Sequence, residues 1–329
     1  MPALHPYMER RDIVSKPTDP DGLILEAWAQ GYMVGSLIIM ACITISNMRR
    51  GVLLHKLILI ELILGTFHGT FIFAHPPVYS WYLSVTAIFL NISWSMHNFI
   101  AWMKNKPFLS RKVSYFYIGT VILAQPYWVV EIYANFTYFN NINDIFLKTR
   151  QVEALFRDPW WIFTILNLFY VIHTQYDLAF TEIIRISPRF GVLLGSMLLS
   201  IAFIIIDILA VTHAFTIPNP DGINPFWKLA YVFKCLTDTI VLDDFKTALD
   251  KLSQVKREMI RSDDFMRFKR EDDPLGSPNI EGPNLGAGMN DPSVGGSEHK
   301  SSASHLDDVH LNVYDFLNES PRDRNRSMG

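Results

Sequence analysis

Residues 51–74, GVLLHKLILIELILGTFHGTFIFA, are the part of the sequence that most restricts the fold. At about 1.5 Å per residue, a helix of this length crosses the ~30 Å apolar core of a bilayer. The stretch nevertheless contains Glu61 near its middle and His68 further along. Ionisable groups at such depth are costly unless they face a protein interior, a wet cavity or a partner. The sequence therefore predicts a membrane helix that other helices surround.

Composition and further apolar segments extend this prediction to the whole chain. Half of the 329 residues are hydrophobic and only 19% are charged, which is typical of a polytopic membrane protein with a soluble extension. We predict an all-α fold, a seven-transmembrane helix bundle with a disordered cytoplasmic C-terminal tail. Its seven expected spans are residues 28–47, 51–74, 78–103, 113–133, 160–180, 190–216 and 226–242.

Changes in composition divide the chain into four regions. Residues 1–26, with prolines among scattered charges, are expected to form an extracellular or lumenal N-terminal tail, and residues 27–242 the membrane domain. Residues 243–270 have apolar side chains at helical spacing among lysines, which favours an amphipathic cytoplasmic helix; a solvated continuation of the seventh span is the alternative. Residues 271–329 are rich in Pro, Gly, Ser and Asn, so a disordered cytoplasmic tail is expected.

The distribution of basic residues predicts the orientation. Short cytoplasmic loops collect Lys and Arg, and the loops after the first, third and fifth expected spans are basic. Among the opposite connections only the longer one after the fourth span has any, at Lys148, Arg150 and Arg157. This places the N-terminus outside and the C-terminus in the cytoplasm of a multi-pass protein of the plasma membrane or an endomembrane. The sequon at Asn135 agrees, because the connection after the fourth span is then lumenal or extracellular, and it predicts a glycoprotein. The basic residues of the three inner loops are Arg49, Arg50, Lys104, Lys106, Arg111, Lys112, Arg185 and Arg189.

Polar residues inside the expected spans are the candidate functional groups. Counting along each span places Glu61, His68, Glu131 and Asp207 from mid-membrane outward, where they would bind a small ligand. Isolated His, Asn and Gln side chains in spans more often form hydrogen bonds between helices than bind a ligand.

The seventh expected span carries two opposite charges, Lys234 and Asp238. They are four residues apart on one helical face, a spacing that permits a structural ion pair.

Several functional classes are disfavoured by the sequence. A net charge of −3 and the absence of nucleic-acid-binding motifs argue against nucleic acid as a partner. The two cysteines provide neither a disulfide framework nor a cysteine-rich metal site, and we expect no metal and no cofactor. The expected partners are the lipid bilayer and a small-molecule ligand.

The predicted topology resembles that of G-protein-coupled receptors, with seven spans, an outer N-terminus, basic inner loops and a possible inner amphipathic helix. Overall the chain is similar to orphan seven-helix receptor-like proteins of filamentous fungi. The resemblance implies that the protein senses a small ligand and signals to a heterotrimeric G protein or another cytoplasmic partner. The third span ends in AWMKNKPF, without the Asp-Arg-Tyr triplet of rhodopsin-like receptors, and the seventh lacks Asn-Pro-x-x-Tyr. Microbial rhodopsins carry an Asp four residues before the retinal lysine, whereas Ala230 precedes Lys234 here, which argues against retinal.

Three alternatives stay open. An intramembrane acid-catalysing enzyme, similar to terpene cyclases or sterol isomerases, would use Glu61, Glu131 and Asp207 as catalytic carboxyl groups. Haem binding would use the spacing of His55 and His68, although no second helix repeats it. A transporter is possible but shows no internal repeat.

Overall fold

A computed structural model describes residues 19–176, 179–214, 224–240 and 245–271, with side chains described up to residue 262. Within those ranges every regular element is a helix, which confirms the all-α class. The helices are α1 Pro20–Ser46, α2 Leu53–His68, α3 Val78–Asn105, α4 Arg111–Leu123, α5 Gln125–Phe139, α6 Ile145–Arg157, α7 Pro159–Gln175, α8 Phe180–Ile186, α9 Pro188–Val211, α10 Phe226–Ile240 and α11 Phe245–Glu271. Two 3-10 turns lie between helices, at Phe71–Phe73 and Lys106–Phe108.

Proline and capping residues explain where several helices begin. Pro20, Pro126, Pro159 and Pro188 each lie in the first turn of a helix, where the missing N–H costs nothing. Asp19 also caps α1, because its carboxylate accepts a hydrogen bond from the Gly22 N–H at 2.8 Å. Helix α1 therefore starts earlier than the end of the expected N-terminal tail at residue 26.

The expected fourth span is interrupted in the middle. Helix α4 ends at Leu123 and α5 begins at Gln125, as the position of Pro126 predicts. The Gln125 side-chain amide donates to the Val121 carbonyl at 2.9 Å and so satisfies a backbone acceptor beside the break. The interruption lets α5 run on to Phe139, beyond the expected end of the span.

The chain divides into two compact units, residues 1–250 and 251–329. In the first unit, α3 is central and packs against α2, α4, α5 and α7, while α10 packs against α1, α2 and α9. The main apolar core lies where α1, α2, α3 and α10 meet, around Met33, Ile58, Trp94 and Tyr231. In the second unit the described residues belong to α11, which covers the expected amphipathic segment, and residues 272–329, the expected disordered tail, lie outside the described residues.

Four helical segments of the described chain are long and apolar enough to cross a membrane: Pro20–Ser46, Leu53–Phe73, Arg111–Phe139 and Pro188–Val211. They coincide with four of the seven expected spans and are consistent with a membrane protein. Helices α7 and α10 have 17 and 15 residues and are individually short for a crossing. Helix α3 has 28 residues, but buried polar side chains such as His97 and Lys104 lower its apolar character.

Candidate functional site

A partly open pocket lies at one end of the helical bundle. The end of α2, the beginnings of α1, α3 and α10, and the facing sides of α5 and α6 form its walls. The space inside the pocket and its open mouth together have a volume of about 570 Å³. Aromatic and aliphatic side chains form much of its wall, and acidic and basic groups converge on the same space. The lining residues are Glu26, His68, Phe71, Leu83, Ala87, Leu90, Asn91, Trp94, Glu131, Asn135, Phe139, Phe146, Arg150, Glu153, Trp227 and Lys228.

A buried ion pair joins the first and the tenth helix at this pocket. Lys228 Nζ donates to both carboxylate oxygens of Glu26, at 2.6 and 2.7 Å, and both side chains are buried. The ammonium group also lies over the Trp227 ring, 4.9 Å from its centroid. Both charges of this pair are therefore already engaged within the protein.

Of the carboxylates that line the pocket, Glu131 is the one without a directly bound cation among the described residues. Its side chain is 4% exposed, and its Oε2 lies 3.3 Å from the Tyr127 hydroxyl oxygen. The single hydrogen of that hydroxyl serves the closer acceptor, the Thr149 carbonyl at 2.7 Å, and the Tyr127 ring stacks on Phe156, so its position is fixed by α6. Glu131 makes no ion pair with a described residue. A buried carboxyl group in this state needs either a proton or a cationic ligand.

Behind the pocket lies a connected set of buried charges, which we call the arginine network: Glu153, Arg150, Asp207, Arg157, Asp158 and Lys234. Arg150 and Arg157 bind the two oxygens of Asp207 at 2.9 and 2.7 Å, and Asn224 donates to Asp207 at 2.9 Å. Glu153 lies between the two arginines, 3.1 Å from Arg150 and 2.7 Å from Arg157.

The arginine network continues across the junction of α6 and α7. Arg157 reaches Asp158 at 3.0 Å, and Asp158 accepts from Lys234 of α10 at 2.5 Å. Three acidic and three basic side chains thus balance one another. The guanidinium of Arg157 also lies 5.1 Å from the centroid of Trp94, which connects the network to the pocket wall.

A second polar cluster, the inner cluster, consists of Glu61, His97, Lys104, Cys235 and Asp238. His97 Nδ1 lies 2.9 Å from Glu61 Oε1 and 3.1 Å from Asp238 Oδ2, and Lys104 Nζ lies 2.9 Å from Asp238 Oδ1. Cys235 Sγ is 3.5 Å from the same Glu61 oxygen. All five side chains are at most 2% exposed. The inner cluster joins α2, α3 and α10.

The four residues expected to bind a ligand fall into three places. His68 and Glu131 line the pocket together. Asp207 lies in the arginine network, where three donors engage it, and Glu61 lies in the inner cluster. His68 Nδ1 is 3.1 Å from the Thr86 hydroxyl, so one of the two histidines of the haem alternative has a protein partner on α3.

The expected ion pair between Lys234 and Asp238 is wrong. Lys234 Nζ binds Asp158 at 2.5 Å, whereas Asp238 pairs with Lys104 and His97. Spacing along one helix allowed the pair, but partners on neighbouring helices offer both groups better geometry.

The expectation that the sequon lies in a connecting segment is also wrong. Asn135 belongs to α5, within the Arg111–Phe139 segment, and lines the pocket. Its Oδ1 is buried, and the Thr137 hydroxyl donates to Asn143 at 2.8 Å. Asn135 itself is half-buried within this helix, and nothing in the described part of the chain supports its glycosylation.

Sequence reasoning missed the groups that surround His68 and Glu131. Glu26 was assigned to the N-terminal tail, and Arg150 and Arg157 to an exposed connection. The sequence contained one indication of helix α6. Arg150, Glu153 and Arg157 are separated by three and four residues, which places them on one face of a helix. Glu26 offered no comparable local signal, since its partner is 202 residues away.

Comparison with known proteins does not add a second line of evidence. No protein family, curated protein or solved structure matches this chain. Function is therefore inferred from the geometry of the pocket and the two clusters.

Proposed function

We propose that the protein is a seven-helix, receptor-like membrane protein that binds a small, partly apolar cation in the pocket. The observation that carries this proposal is Glu131, a buried carboxyl group that forms no ion pair with any residue the structure describes and that lies in an aromatic-walled pocket. The seven spans would be the four long apolar segments together with α3, the α6–α7 pair and α10.

Charge counting supports a cationic ligand. The pocket and the arginine network contain five carboxylates, Glu26, Glu131, Glu153, Asp158 and Asp207, against the four cations Lys228, Arg150, Arg157 and Lys234. With His68 neutral, one negative charge is left over at Glu131. An ammonium group there would neutralise it, and the rings of the pocket wall would hold the apolar part of the ligand.

Burial of basic residues supports the proposed orientation. The connection after the fourth span was the one basic connection on the expected outer side, yet its Arg150 and Arg157 are buried in the arginine network, and Lys148 is exposed. The positive-inside bias is therefore stronger than the raw sequence suggests. In this orientation the pocket faces outward, as a receptor for an external ligand requires.

Contacts beneath the pocket offer a way to transmit binding. Trp94 contacts Trp128 and Trp227 at centroid distances of 5.5 and 5.7 Å, and its helix also carries His97 of the inner cluster. A ligand that displaces Trp94 or Trp227 would shift α3 or α10, which end near the basic inner loops. A heterotrimeric G protein or another cytoplasmic partner would bind there.

The test uses three matched probes, 4-phenylbutylamine, 4-phenylbutanol and 4-phenylbutyrate, titrated against the full chain in nanodiscs by tryptophan fluorescence. We expect the amine to bind at least about tenfold more tightly than the alcohol, and E131Q to abolish that preference. The exposed substitution D21N is the control and should leave it unchanged. Equal affinities for amine and alcohol, or an unchanged preference in E131Q, would contradict the proposal.

The signalling half of the proposal has a separate test. Amine-dependent nucleotide exchange on a co-reconstituted heterotrimeric G protein is expected, and E131Q should reduce it in parallel with binding. Binding without any exchange would leave a ligand-binding protein that is not a G-protein-coupled receptor.

An intramembrane acid-catalysing enzyme is the second candidate, favoured by the 3.3 Å approach of the Tyr127 hydroxyl oxygen to Glu131 beside the pocket rings. A protonated Glu131 would donate its proton to an epoxide oxygen, the C–O bond would break, and the aromatic wall would stabilise the carbocation. Loss of a proton from the cation to water would complete an isomerisation, and water would reprotonate Glu131. Turnover of a polyprenyl epoxide that E131Q abolishes, while the exposed substitution D21N retains it, would favour the enzyme over the receptor.

A further inference from the structure

The inner cluster combines three side chains of the types that bind transition metals. Glu61 comes from α2, His97 from α3 and Asp238 from α10. One donor atom each from Glu61, His97 and Asp238 lies within 4.8 Å of the others. Carboxylate oxygen and imidazole nitrogen are among the ligands of protein-bound Zn²⁺.

The contacts within the cluster leave bonding capacity unused. A single hydrogen on His97 Nδ1 can point well at only one oxygen, yet oxygens of Glu61 and Asp238 lie 2.9 and 3.1 Å away. Glu61 Oε2 is buried and has no hydrogen-bond partner among the described residues. Donor atoms around one tetrahedral Zn²⁺ are about 3.3 Å apart, so a small outward movement would admit the ion.

Neighbouring residues already hold two of the ligands in place. Lys104 binds Asp238 Oδ1 at 2.9 Å, which leaves Oδ2, the oxygen beside His97, for the ion. Trp161 packs against the His97 ring at 4.8 Å between centroids, and its indole donates to Ser200 at 2.8 Å. Outer contacts of this kind orient metal ligands and tune their affinity.

We propose that Glu61, His97 and Asp238 form a Zn²⁺ site that binds one ion and fixes α2, α3 and α10 to one another. The site is separate from the pocket and does not depend on its ligand. It departs from the expectation, drawn from the sequence, that the protein needs no metal.

The test measures metal content and coordination in the purified full-length protein. Wild-type protein, loaded with Zn²⁺ and dialysed, should contain about one zinc per chain, and E61Q should lose affinity by about 100-fold or more. Replacement by Co²⁺ should give the visible absorption of a coordinated ion. H97Q should remove that absorption, whereas C42S, a change at an exposed cysteine, should retain it.

Two results would overturn the proposal. Zinc in the wild type no higher than in E61Q would mean that the cluster is only an ion-pair and hydrogen-bond cluster. A cobalt spectrum identical in wild type and H97Q would exclude His97 from the site. H97Q changes a ligand on a different helix, so it keeps the test decisive even where E61Q does not fold.

Discussion

Glu26 and Lys228 form a buried ion pair at 2.6 Å although 202 residues separate them in the chain. Removing one partner leaves an uncompensated buried charge, so E26Q should destabilise the protein by about 3–5 kcal/mol. The double substitution E26Q/K228M should recover part of that loss, because it removes the stranded ammonium group. Thermal unfolding in nanodiscs measures both, with K56M at an exposed lysine as the control. Equal loss in the single and double variants would contradict the pairing.

Asp207 is expected to be structural, since it neutralises two arginines. D207N should cost about 3–5 kcal/mol, because Arg150 and Arg157 would share Glu153 and Asp158 as their remaining acidic partners. The measurement is unfolding by denaturant in detergent micelles, with D21N as the exposed control. A stability change for D207N as small as that of D21N would show that Asp207 does not stabilise the fold through the arginine network.

Gly65 allows α2 to lie close to α10. A Cβ atom at this position would stand 2.5 Å from the Tyr231 hydroxyl, which also lies 2.5 Å from the Ser93 hydroxyl. G65A should therefore destabilise the protein by about 1–3 kcal/mol through a forced shift of a packed ring.

The matched control for that substitution is G119A in α4. No atom lies within 4 Å of a Cβ built at Gly119, so this variant should be neutral or more stable by up to about 1 kcal/mol. Unfolding temperatures of the two variants give the comparison, and equal shifts would contradict the close approach at Gly65.

Trp161 is expected to contribute through one hydrogen bond as well as through packing. Its indole N–H donates to Ser200 at 2.8 Å and its side chain is fully buried. W161F removes the donor and part of the ring and should cost about 1–3 kcal/mol. W81F, at an indole that is 60% exposed, should cost much less. Thermal unfolding of both variants is the measurement, and a similar cost for both would refute the assignment.

The helices were largely predictable because their signals are local. The apolar run at residues 51–74 led to α2, and Pro126 and Pro159 marked the start of α5 and α7. Helix α1 began earlier than expected because Asp19 and Pro20 form a helix start that the polar surroundings concealed. Helix α6 was missed because its charges suggested an exposed connection, while its Arg150 and Arg157 are buried by partners on other helices.

The sequence by itself determined most of the helical segments, with α6 as the exception, and it showed which polar groups fall inside apolar segments, including His68 and Glu131. Only the tertiary structure decided which charge meets which: Lys234 pairs with Asp158 rather than Asp238, and Glu61 meets His97 rather than the pocket. The physical reason is that periodicity along a helix gives the face a side chain occupies but not the rotation and height of the helix against its neighbours. Ion pairs and ligand sites depend on distances of about 3 Å between helices, which packing alone sets.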